Sequence, residues 1–541
     1  MIVLGLNGWT DRTHDPAAVL TVDGVVVSFV EQERLSRRKH GVGELPHAAA
    51  VTVLAEAGLS AEEIDVVAYG WDLAKFNRLR GRDVELDQLG ERLTGIAVLA
   101  DRPVVQTLHH DAHAASSFYG SGLAEATVLV VDAEGEDESA SVFHASAHGL
   151  QRLRSWGRGQ SLGLMYRAVS QFCGFGTFGA GKTMGLASWW PEPVYPLPLT
   201  WRDGDLHSPF PTAAWEDDVV NGWLALLASR FGPSGRPAAS SVYPPWQAHQ
   251  PQAAAAAQLT VNQALVGLVD AAVGLTGCPD VCLGGGVALN CVTNGLLLDR
   301  VRTLHIPPYP HDAGVALGAA QLAGLVAGQP WRDRVRAAAG PLASPGEAAN
   351  AATARGLLVR SSGDPIADAC QLLAEGKTIG WVQGPMEIGP RALGNRSILA
   401  LPRPEGVRDR LNMCKGREPW RPLAPSLLAE EAGRLFGRPL DSPFMLLSVQ
   451  LTEEGRQLAP AATHRDGSAR LQTVAIGDSP FRALIEQVRV ATGTGVVLNT
   501  SLNRRGHPLV HTGAEAVDTA TAIGLDALVV GDVVIDPRGG T

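Results

Sequence analysis

The chain of 541 residues is longer than one hydrophobic core usually supports, so its length predicts at least two domains and excludes a small single-domain binding module. Apolar residues make up 45% and charged residues 18% of the sequence, which excludes intrinsic disorder. The formal net charge of −10 gives no global attraction to nucleic acid or to an anionic membrane surface. The six dispersed cysteines fit a reducing compartment, and neither a secretion signal nor a membrane span is predicted, so we expect a cytoplasmic protein.

The predicted elements alternate between strands and helices along most of the chain. Strands are predicted at residues 2–6, 17–22 and 25–30, helical stretches at 45–56 and 61–64, and further strands at 66–69, 127–131 and 281–283. Between about 192 and 250 the sequence becomes rich in Trp and Pro, which predicts a functional insertion or a surface lobe.

A second loose stretch, residues 332–356, is rich in Ala, Pro and Gly, and we place the main domain boundary there. The predicted domains therefore cover residues 1–345 and 356–541. The second domain has strand-like segments GWVQ, LLSVQL, VVLNTS and ALVVGDVVI, so the predicted fold class is α/β throughout.

One pair of histidines has the spacing of a metal site. His109 and His113, in LHHDAHAASSFYG, are four residues apart and share one face of a helix. Asp132 ends the predicted strand of VLVVDAEGE, and Asp312 in YPHDAGVALGAA precedes a helix start, so both carboxylates are candidates for further ligands. Two imidazoles and two carboxylates suit iron, manganese or zinc better than calcium. Without the carboxylates, ordinary surface histidines are the alternative.

Two glycine-rich segments are candidates for phosphate binding. GTFGAGKT, residues 176–183, matches the Walker A pattern, but a true P-loop follows a buried strand, and the residues before this segment are predicted to be helical. We therefore interpret the match as accidental. In LGGGVALNCVTNG, Gly284, Gly285 and Gly286 follow a predicted strand, and their N–H groups can approach phosphate or sugar oxygens. A tight turn is the alternative.

The densest candidate is a basic cluster in the C-terminal half. GPMEIGPRALGNRSILALPR and KGREPWRPLAPS bring together Arg391, Arg396, Lys415, Arg417 and Arg421. Arg pairs bidentately with phosphate and Lys adds a point charge, so the cluster predicts binding of a polyphosphate or an acyl phosphate. The alternative is a solvated charged face, which the small and apolar residues between these charges disfavour. Two polar turns complete the expected nucleotide pocket with Arg470, Asn499, Thr500 and Ser501.

Near the N-terminus, His14 in THDPAAVL and Lys39 in EQERLSRRKHG are single polar residues at predicted turns. An imidazole titrates near neutral pH and can act as a base. Residues of this kind are usually structural, so they gain weight only from a wider pattern.

These segments together resemble one family. HDPAAVL, EQERLSRRKHG, HHDAHAASSFYG, GKTMGLA, GGGVALN, MEIGPRALGNRSILA, KGREPWRPLAPS and LNTSLNRRG are similar to segments of the O-carbamoyltransferases of the nodulation and antibiotic-biosynthesis type. The resemblance implies an N-terminal actin-like ATPase fold of two lobes, similar to the Kae1 protein, and a C-terminal YrdC-like α/β domain. It also implies an enzyme that forms a carbamoyladenylate from the co-substrates ATP, with Mg²⁺, and carbamoyl phosphate, and then transfers the carbamoyl group to a hydroxyl.

The resemblance also assigns roles to matching residues. It implies that carbamoyl phosphate and ATP bind in the YrdC-like domain, at Arg391, Lys415, Arg421, Arg470, Asn499 and Ser501. It implies a divalent metal in the Kae1-like domain, with iron expected, at His109, His113, Asp132 and Asp312. The nucleotide would lie there against Gly284, Gly285, Gly286 and Asn290. His14 and Lys39 would stand at the acceptor, where His14 helps to deprotonate the hydroxyl.

The expected acceptor is a small natural product with a free hydroxyl, such as an antibiotic, a macrolide or its sugar, and neither nucleic acid nor membrane is an expected partner. The segment at 192–250 is the least family-like and is expected to shape the acceptor pocket. The oligomeric state stays open, with a homodimer as one option. Two other functions use similar domains: threonylcarbamoylation of tRNA, disfavoured by the lack of a basic surface signal, and a non-catalytic nucleotide-binding regulator, disfavoured by the retained site residues.

Overall fold

The computed structural model describes residues 1–9, 13–83, 86–213, 215–234, 249–334, 336–403, 406–477 and 479–539. The chain packs into two compact units. Unit one comprises Met1–Val27 and Gly43–Val335, and unit two comprises Ser28–Val42 and Arg336–Thr541. The sequence prediction assigned residues 1–345 to one continuous domain, whereas the structure assigns Ser28–Val42 to the unit formed by the C-terminal residues.

The strands and helices follow one another in the alternating order expected of an α/β chain. The strands are β1 (Ile2–Asn7), β2 (Ala17–Val22), β3 (Val25–Glu31), β4 (Val66–Tyr69), β5 (Val104–Gln106), β6 (Glu125–Val131), β7 (Glu138–Ser146), β8 (Gly149–Gly157), β9 (Thr200–Arg202), β10 (Asp205–His207), β11 (Asp280–Gly284), β12 (Thr303–His305), β13 (Ala338–Leu342), β14 (Leu358–Ser361), β15 (Ile379–Val382), β16 (Pro385–Glu387), β17 (Arg396–Ala400), β18 (Ala424–Leu428), β19 (Leu447–Gln450), β20 (Ser468–Val474), β21 (Val496–Ser501), β22 (Ala527–Val530) and β23 (Val533–Asp536). The helices are α1 (Glu33–Ser36), α2 (His47–Ala57), α3 (Leu73–Leu79), α4 (Leu89–Thr94), α5 (His109–Phe118), α6 (Leu162–Phe172), α7 (Ala180–Ala187), α8 (Glu216–Phe231), α9 (His249–Thr276), α10 (Cys291–Leu297), α11 (Ala313–Val326), α12 (Pro345–Ala354), α13 (Pro365–Ala374), α14 (Val407–Cys414), α15 (Ala432–Phe436), α16 (Glu453–Leu458), α17 (Pro480–Thr492) and α18 (Gly513–Ile523).

Unit one is built from two lobes with the same sheet topology. In the first lobe β1 runs antiparallel to β2 and parallel to β4, and β5 continues parallel to β4. In the second lobe β6 runs antiparallel to β7 and parallel to β11, and β12 continues parallel to β11. The strand order is β3-β2-β1-β4-β5 in the first lobe and, read in the same direction, β8-β7-β6-β11-β12 in the second. The second lobe therefore repeats the strand order of the first. This duplication confirms the predicted actin-like fold of two lobes.

Helices α5 and α11 occupy equivalent positions, each after the last strand of its lobe, and they pack closely. A Cβ atom at Gly318 in α11 would overlap the carbonyl oxygen of Ala112 in α5. A Cβ at Gly5 in β1 would likewise overlap the carbonyl oxygen of Ala316. These two glycines permit a close backbone approach, which fixes the N-terminal ends of both helices relative to the sheets.

The Trp- and Pro-rich segment at 192–250, for which the sequence predicted a functional insertion or a surface lobe, contains regular secondary structure in its described residues. It contains the β9–β10 hairpin and the sixteen-residue helix α8, while residue 214 and residues 235–248 lie outside the described residues. The following helix, α9, is the one helix in the described part of the chain that is long and apolar enough to cross a bilayer, where the sequence predicted none. In unit one α9 packs against the ring of Trp201 at Gly267.

Unit two contains a nine-stranded mixed sheet in the order β14-β23-β22-β15-β17-β21-β18-β20-β19. Neighbouring residues of one strand face opposite sides of it: Leu498 packs in the core cluster that includes α12 and α18, and Val497 packs in the cluster that includes α13 and α17. The sheet is therefore covered on both faces. The predicted C-terminal α/β domain is confirmed, with VVLNTS as β21 and ALVVGDVVI as the hairpin of β22 and β23.

Candidate functional site

In unit one, four potential metal ligands come from corresponding ends of the duplicated fold. His109 and His113 lie in the first and second turns of α5. Asp132 directly follows β6, and Asp312 directly precedes α11. Because α5 and α11 pack side by side, these four side chains meet, and all of them are buried.

The ligand atoms of these side chains lie within 4.8 Å of one another. The Nε2 atoms of His109 and His113 are 3.1 Å apart. Asp132 Oδ2 is 3.0 Å from Nε2 of His113, and Asp312 Oδ1 is 3.7 Å from Nε2 of His109. The structure thus brings together the two imidazoles and two carboxylates that the sequence suggested as ligands.

The electrostatics of this cluster fit a bound cation. Burial opposes a charged histidine, but hydrogen bonding and attraction from Asp132 and Asp312 raise the pKa of His109 to about 10. Burial and the neighbouring His109 lower the pKa of His113. Asp132 Oδ2 is buried and has no hydrogen-bond partner of good geometry among the described residues, although it is close to His113 Nε2. A divalent cation would supply the positive charge that the cluster now gains from a proton, with both imidazoles neutral.

Residues that the sequence did not single out hold His109 in place. Trp71 stacks on its ring with the centroids 3.8 Å apart, and Trp71 Nε1 donates to Asn7 Oδ1 at the end of β1. The carboxylate of Glu136 accepts from the backbone N–H groups of His109 and Asp72. Ring orientation matters for a metal ligand, so these contacts prepare the imidazole. In the sequence, Asn7, Trp71 and Glu136 can be recognised only by their positions shortly after predicted strands.

His14 lies beside this cluster. Its Nδ1 is 2.9 Å from Asp15 Oδ2 and 3.7 Å from Asp312 Oδ2. Burial opposes the charged form, yet Asp312 and Asp15 raise the pKa of His14 to about 9. The side chain keeps 26% of its surface exposed and meets the ring of Phe178 edge-on at 5.4 Å. His14 is therefore placed where a group entering from solvent can reach it.

The three-glycine segment, which begins with the last residue of β11, lies against Asp132. Gly285 has a φ of +84°, and a Cβ there would overlap the carbonyl oxygen of Val131. A Cβ at Gly286 would stand 3.2 Å from Asp132 Oδ1. The lack of side chains brings this backbone to the rim of the potential metal site, as a phosphate-binding turn requires.

Asn290, the fourth residue expected at the nucleotide, has structural bonds of its own. Its Oδ1 accepts from the N–H of Thr293 at 3.2 Å and so caps α10. Its amide also exchanges hydrogen bonds with Gln258 of α9. The sequence did not indicate this capping role, because the helix it starts has only seven residues.

The Walker-like segment has the context expected of an accidental match. It follows helix α6, not a strand, and Lys182 lies inside the eight-residue α7. Thr183 is buried, and its hydroxyl bonds to Ser170 Oγ at 2.8 Å. The side chain that would hold Mg²⁺ in a P-loop is thus used for packing.

In unit two, the first basic motif forms a loop between β16 and β17 that carries Arg391. Glu387, at the end of β16, is fully buried. Its Oε1 accepts the backbone N–H groups of Leu393, Asn395 and Arg396 at 2.8, 2.8 and 3.0 Å. The loop is therefore folded around a single carboxylate, and Arg391 lies in its middle.

Arg396 has a structural role, although the sequence grouped it with the basic residues expected to bind phosphate. Its side chain is fully buried and donates to the carbonyl oxygens of Gln383, Gly384 and Pro341 at 3.3, 3.0 and 3.0 Å. These bonds assign Arg396 to the packing of the chain around the β16–β17 loop. The expectation that Arg396 belongs to the anion-binding set is corrected accordingly.

The remaining basic side chains crowd together. Lys415 is 4% exposed, and its Nζ donates to the carbonyl oxygen and, at 3.3 Å, to the hydroxyl of Ser501. Burial and then the charges of Arg417, Arg421 and Lys39 hold the pKa of Lys415 well below its usual value. Lysine in such a place is charged more readily when an anion is bound.

Arg417 shows the same crowding. Burial, followed by the charges of Arg421, Arg470 and Arg391, lowers its pKa well below the ordinary value. Its Nη1 donates to Thr500 Oγ1 at 3.2 Å, and its buried Nε has no hydrogen-bond partner among the described residues. Like charges buried at close range destabilise one another unless an anion compensates them. The cluster is thus suited to a polyanion.

Asn499 adds a neutral polar group to this set. Its side chain is 1% exposed, and its Nδ2 donates to Ser426 Oγ at 3.1 Å and to Gln472 Oε1 at 3.2 Å. Its Oδ1 is buried with no partner in the part of the chain that the structure describes. This oxygen can accept a hydrogen bond from a ligand N–H.

Lys39 belongs to unit two, whereas His14 belongs to unit one. The positive charge of Lys39 adds to the burial and the arginine charges that lower the pKa of Lys415. His14 is grouped with Asp312 and the other potential metal ligands. The family resemblance implied that both residues stand at the acceptor, whereas the structure assigns them to different units.

Two family models of known proteins match this chain. The family model described as Carbamoyltransferase C-terminus matches residues 370–537. The model described as Carbamoyltransferase N-terminus matches residues 3–94, 89–192 and 238–321. The matches cover most of both units, so the chain belongs to the carbamoyltransferase family and is an enzyme of that class.

Individual relatives support the same family. The nodulation protein NolNO of Sinorhizobium fredii is 34% identical over 578 residues, which cover 99% of this chain and 83% of that protein. The 3'-hydroxymethylcephem-O-carbamoyltransferase of Amycolatopsis lactamdurans is 36% identical over 255 residues, covering 46% of this chain and 47% of that one. Among solved structures, HypF of T. kodakarensis aligns with a TM-score of 0.36 and 14% identity, over 60% of this chain and 48% of that one.

Proposed function

We propose that the protein is an ATP- and carbamoyl phosphate-dependent O-carbamoyltransferase that forms a carbamoyladenylate in unit two and uses it in unit one to carbamoylate a natural-product hydroxyl. The observation that carries the proposal is the crowding of buried Lys415 with the partly buried Arg417 and Arg421, since the pKa values of all three are lowered. ATP and carbamoyl phosphate together bring the negative charges that such a cluster needs.

In the proposed first step, water releases inorganic phosphate from carbamoyl phosphate and leaves carbamate. A carbamate oxygen then attacks the α-phosphorus of Mg²⁺-bound ATP, and pyrophosphate leaves with the electron pair of the broken P–O bond. Basic side chains offset the charge that builds up on the phosphoryl oxygens. Hydrogen bonds from the polar side chains orient the carbamoyl group. The residues proposed for these roles are Arg391, Lys415, Arg421, Arg470, Asn499 and Ser501, with Lys39 as a further positive charge.

In unit one, His109, His113, Asp132 and Asp312 would hold a divalent metal, for which we propose iron. A metal bound there supplies positive charge that polarises the phosphate of the adenylate. The turn Gly284–Gly286 would carry the nucleotide, because its N–H groups can approach the phosphate oxygens closely.

His14 is the proposed base of the transfer step. Its Nδ1 lies at Asp15, so its Nε2 can take the proton of the acceptor hydroxyl. The hydroxyl oxygen then attacks the carbamoyl carbon, and AMP leaves with the electron pair of the C–O bond. The negative charge of Asp312 helps to raise the pKa of His14. A cation bound by Asp312 would offset that charge and lower the pKa again, so that His14 would be neutral and able to accept a proton.

The proposed acceptor is a small molecule with a free hydroxyl, such as an antibiotic, a macrolide or its sugar. The relative from Amycolatopsis lactamdurans is a 3'-hydroxymethylcephem-O-carbamoyltransferase, which supports an alcohol acceptor. We further propose that the protein works in the cytoplasm, without nucleic acid or membrane partners, and that the oligomer to test first is a homodimer.

The test is incubation of the purified protein with carbamoyl phosphate, ATP, Mg²⁺ and iron but without acceptor. We expect release of pyrophosphate and phosphate, together with carbamoyl-AMP detected by mass spectrometry. ATP and carbamoyl phosphate that bind without release of pyrophosphate would contradict the proposal and would point to a nucleotide-binding regulator.

A further inference from the structure

The segment Ser28–Val42 contains a buried ion cluster that holds one residue of the β16–β17 loop. Arg34 is 2% exposed and pairs with Glu31, 2.6 Å away, and with Glu33. Its Nη2 also donates to the carbonyl oxygen of Gly389 at 2.7 Å. The N–H of Gly389 donates in turn to Glu31 Oε2 at 3.0 Å. Both backbone polar groups of Gly389 are therefore bound by Glu31 and Arg34, which we call the Gly389 clamp.

Gly389 stands two residues before Arg391, and its φ of +95° is one that other residues rarely adopt. Pro390, between them, has a fixed φ and no N–H, so the direction of the chain from Gly389 to Arg391 has little freedom. The clamp thus sets the start of a short, stiff connection that ends at Arg391.

The loop is anchored beyond Arg391 as well. Asn499 Nδ2 donates to the carbonyl oxygen of Ala392 at 3.2 Å, and Gln472 Nε2 donates to that of Leu393 at 2.9 Å. Glu387 binds three N–H groups of the same loop. These anchors hold the far side of the loop. On its near side the N–H of Ile388 donates to the carbonyl oxygen of Ala337 at 2.7 Å, and the Gly389 clamp holds the next peptide unit, closer to Arg391.

A cluster that served stability alone would not need these charges. Buried ion pairs usually gain little over well-packed apolar residues, because removing charges from water is expensive. In the Gly389 clamp the charged groups converge on one peptide unit next to an arginine of the basic cluster. Arg391 in turn acts on Arg417 within that cluster.

From this geometry we propose that Glu31 and Arg34 are positioning residues for adenylate formation, which orient Arg391 toward the polyanionic ligand of unit two by holding Gly389. The proposal rests on the proposed function of unit two. The segment Ser28–Val42 would thus contribute to the binding of carbamoyl phosphate and ATP, although it lies far from the C-terminal residues in sequence. The proposal requires that Arg34 act through Arg391.

The test compares Arg34→Met with a matched control, Arg482→Met. Arg482 is also buried in unit two, at 5% exposure, and it also pairs with carboxylates and with a backbone carbonyl, those of Glu430, Glu486 and Val474. It does not touch the β16–β17 loop in the described contacts. The full-length variants are assayed for pyrophosphate release over a range of carbamoyl phosphate and of ATP concentrations, and their thermal midpoints are measured.

We expect Arg34→Met to raise the KM for carbamoyl phosphate or ATP at least tenfold, and Arg482→Met to leave both KM values unchanged at a similar loss of thermal midpoint. We also expect Arg34→Met combined with Arg391→Ala to be no worse than Arg391→Ala alone, because both changes disable one contact. Arg34→Lys, which keeps the charge but loses the forked donor, should fall between wild type and Arg34→Met.

Unchanged KM values in Arg34→Met, or a double variant whose losses multiply, would overturn the positioning role. If Arg34→Met does not fold, Arg34→Lys and Glu31→Gln are judged by the same two criteria. If the wild-type protein itself releases no pyrophosphate, the proposed function fails. Titration with inorganic pyrophosphate then tests the role of the Gly389 clamp in anion binding by itself. Equal affinity of wild type and Arg34→Lys for pyrophosphate would overturn that role.

Discussion

The backbone of Gly285 lies so close to the carbonyl oxygen of Val131 that no side chain fits between them. The φ of +84° at Gly285 adds a second reason for glycine. Gly285→Ala should therefore lower the free energy of unfolding by at least about 2 kcal/mol and weaken nucleotide binding in unit one. Chemical denaturation and titration with a nucleotide check the two effects.

The matched control is Gly181→Ala in α7, where an added Cβ meets nothing within 4 Å. Alanine favours a helix interior, so this change should be neutral or should stabilise by up to about 1 kcal/mol. Equal stability of the two variants would contradict the close contact at Gly285.

The two proposed half-reactions should separate by mutation. Arg421→Ala removes a charge from the basic cluster of unit two and should abolish the release of pyrophosphate. His14→Asn removes the proposed base of unit one, so it should keep pyrophosphate release and lose carbamoyl transfer to an acceptor. Assays of both steps on both variants check this division. Loss of pyrophosphate release in His14→Asn would show that the division is wrong.

Metal content should depend on His113 and not on its neighbour His110. His113→Ala removes one of four converging ligands and should lower the affinity for iron at least tenfold. His110 is equally buried, but its Nδ1 bonds to Ser141 Oγ at 2.7 Å, so His110→Asn should keep the metal. Metal analysis after equilibrium dialysis against Fe²⁺ gives the comparison. Equal loss in both variants would mean that the helix, and not the ligand, had been disturbed.

Acid should destabilise unit two through His464. Burial, together with Arg470 and Arg408, lowers the pKa of His464 to about 4, although Asp466 opposes this. The unfolded chain takes up a proton near pH 6.5 and the folded one does not. The stability that neutral His464 contributes is thus fully present above pH 6.5 and is lost as the pH falls to 4, by an amount on the order of 3 kcal/mol.

The measurement for this effect is the thermal midpoint of wild type and of His464→Asn between pH 7.5 and 4. The wild type should lose more of its midpoint than the variant over that interval. His148→Asn, in the turn between β7 and β8, controls for the removal of an exposed histidine. Parallel curves for wild type and His464→Asn would exclude His464 as the source of the acid sensitivity.

The metal ligands could be anticipated because local rules place them. His109 and His113 have helical spacing, Asp132 ends an apolar strand, and Asp312 precedes a helix of small residues. Each rule uses only neighbours in sequence, and the repeated lobe topology brings the four residues together.

Residues whose environment depends on distant chain segments could not be anticipated in the same way. Arg396 looks like the other arginines of its motif, and only tertiary packing surrounds it with carbonyl oxygens. Lys39 follows a strand of the N-terminal half, and no local pattern shows that its segment joins unit two. Helix α8 was missed because Trp and Pro residues on either side obscure its 3.6-residue period.

Ser28–Val42 packs in one unit with Arg336–Thr541. The N-terminal and C-terminal halves of the chain can therefore not be exchanged independently of each other. A chimera joined near the middle of the chain would pair the Glu31 and Arg34 of one parent with the Gly389 loop of the other. Recombination between relatives preserves this match only if it exchanges two separate stretches at once. Library design for new acceptors should therefore keep residues 28–42 with the C-terminal half and vary the chain between them.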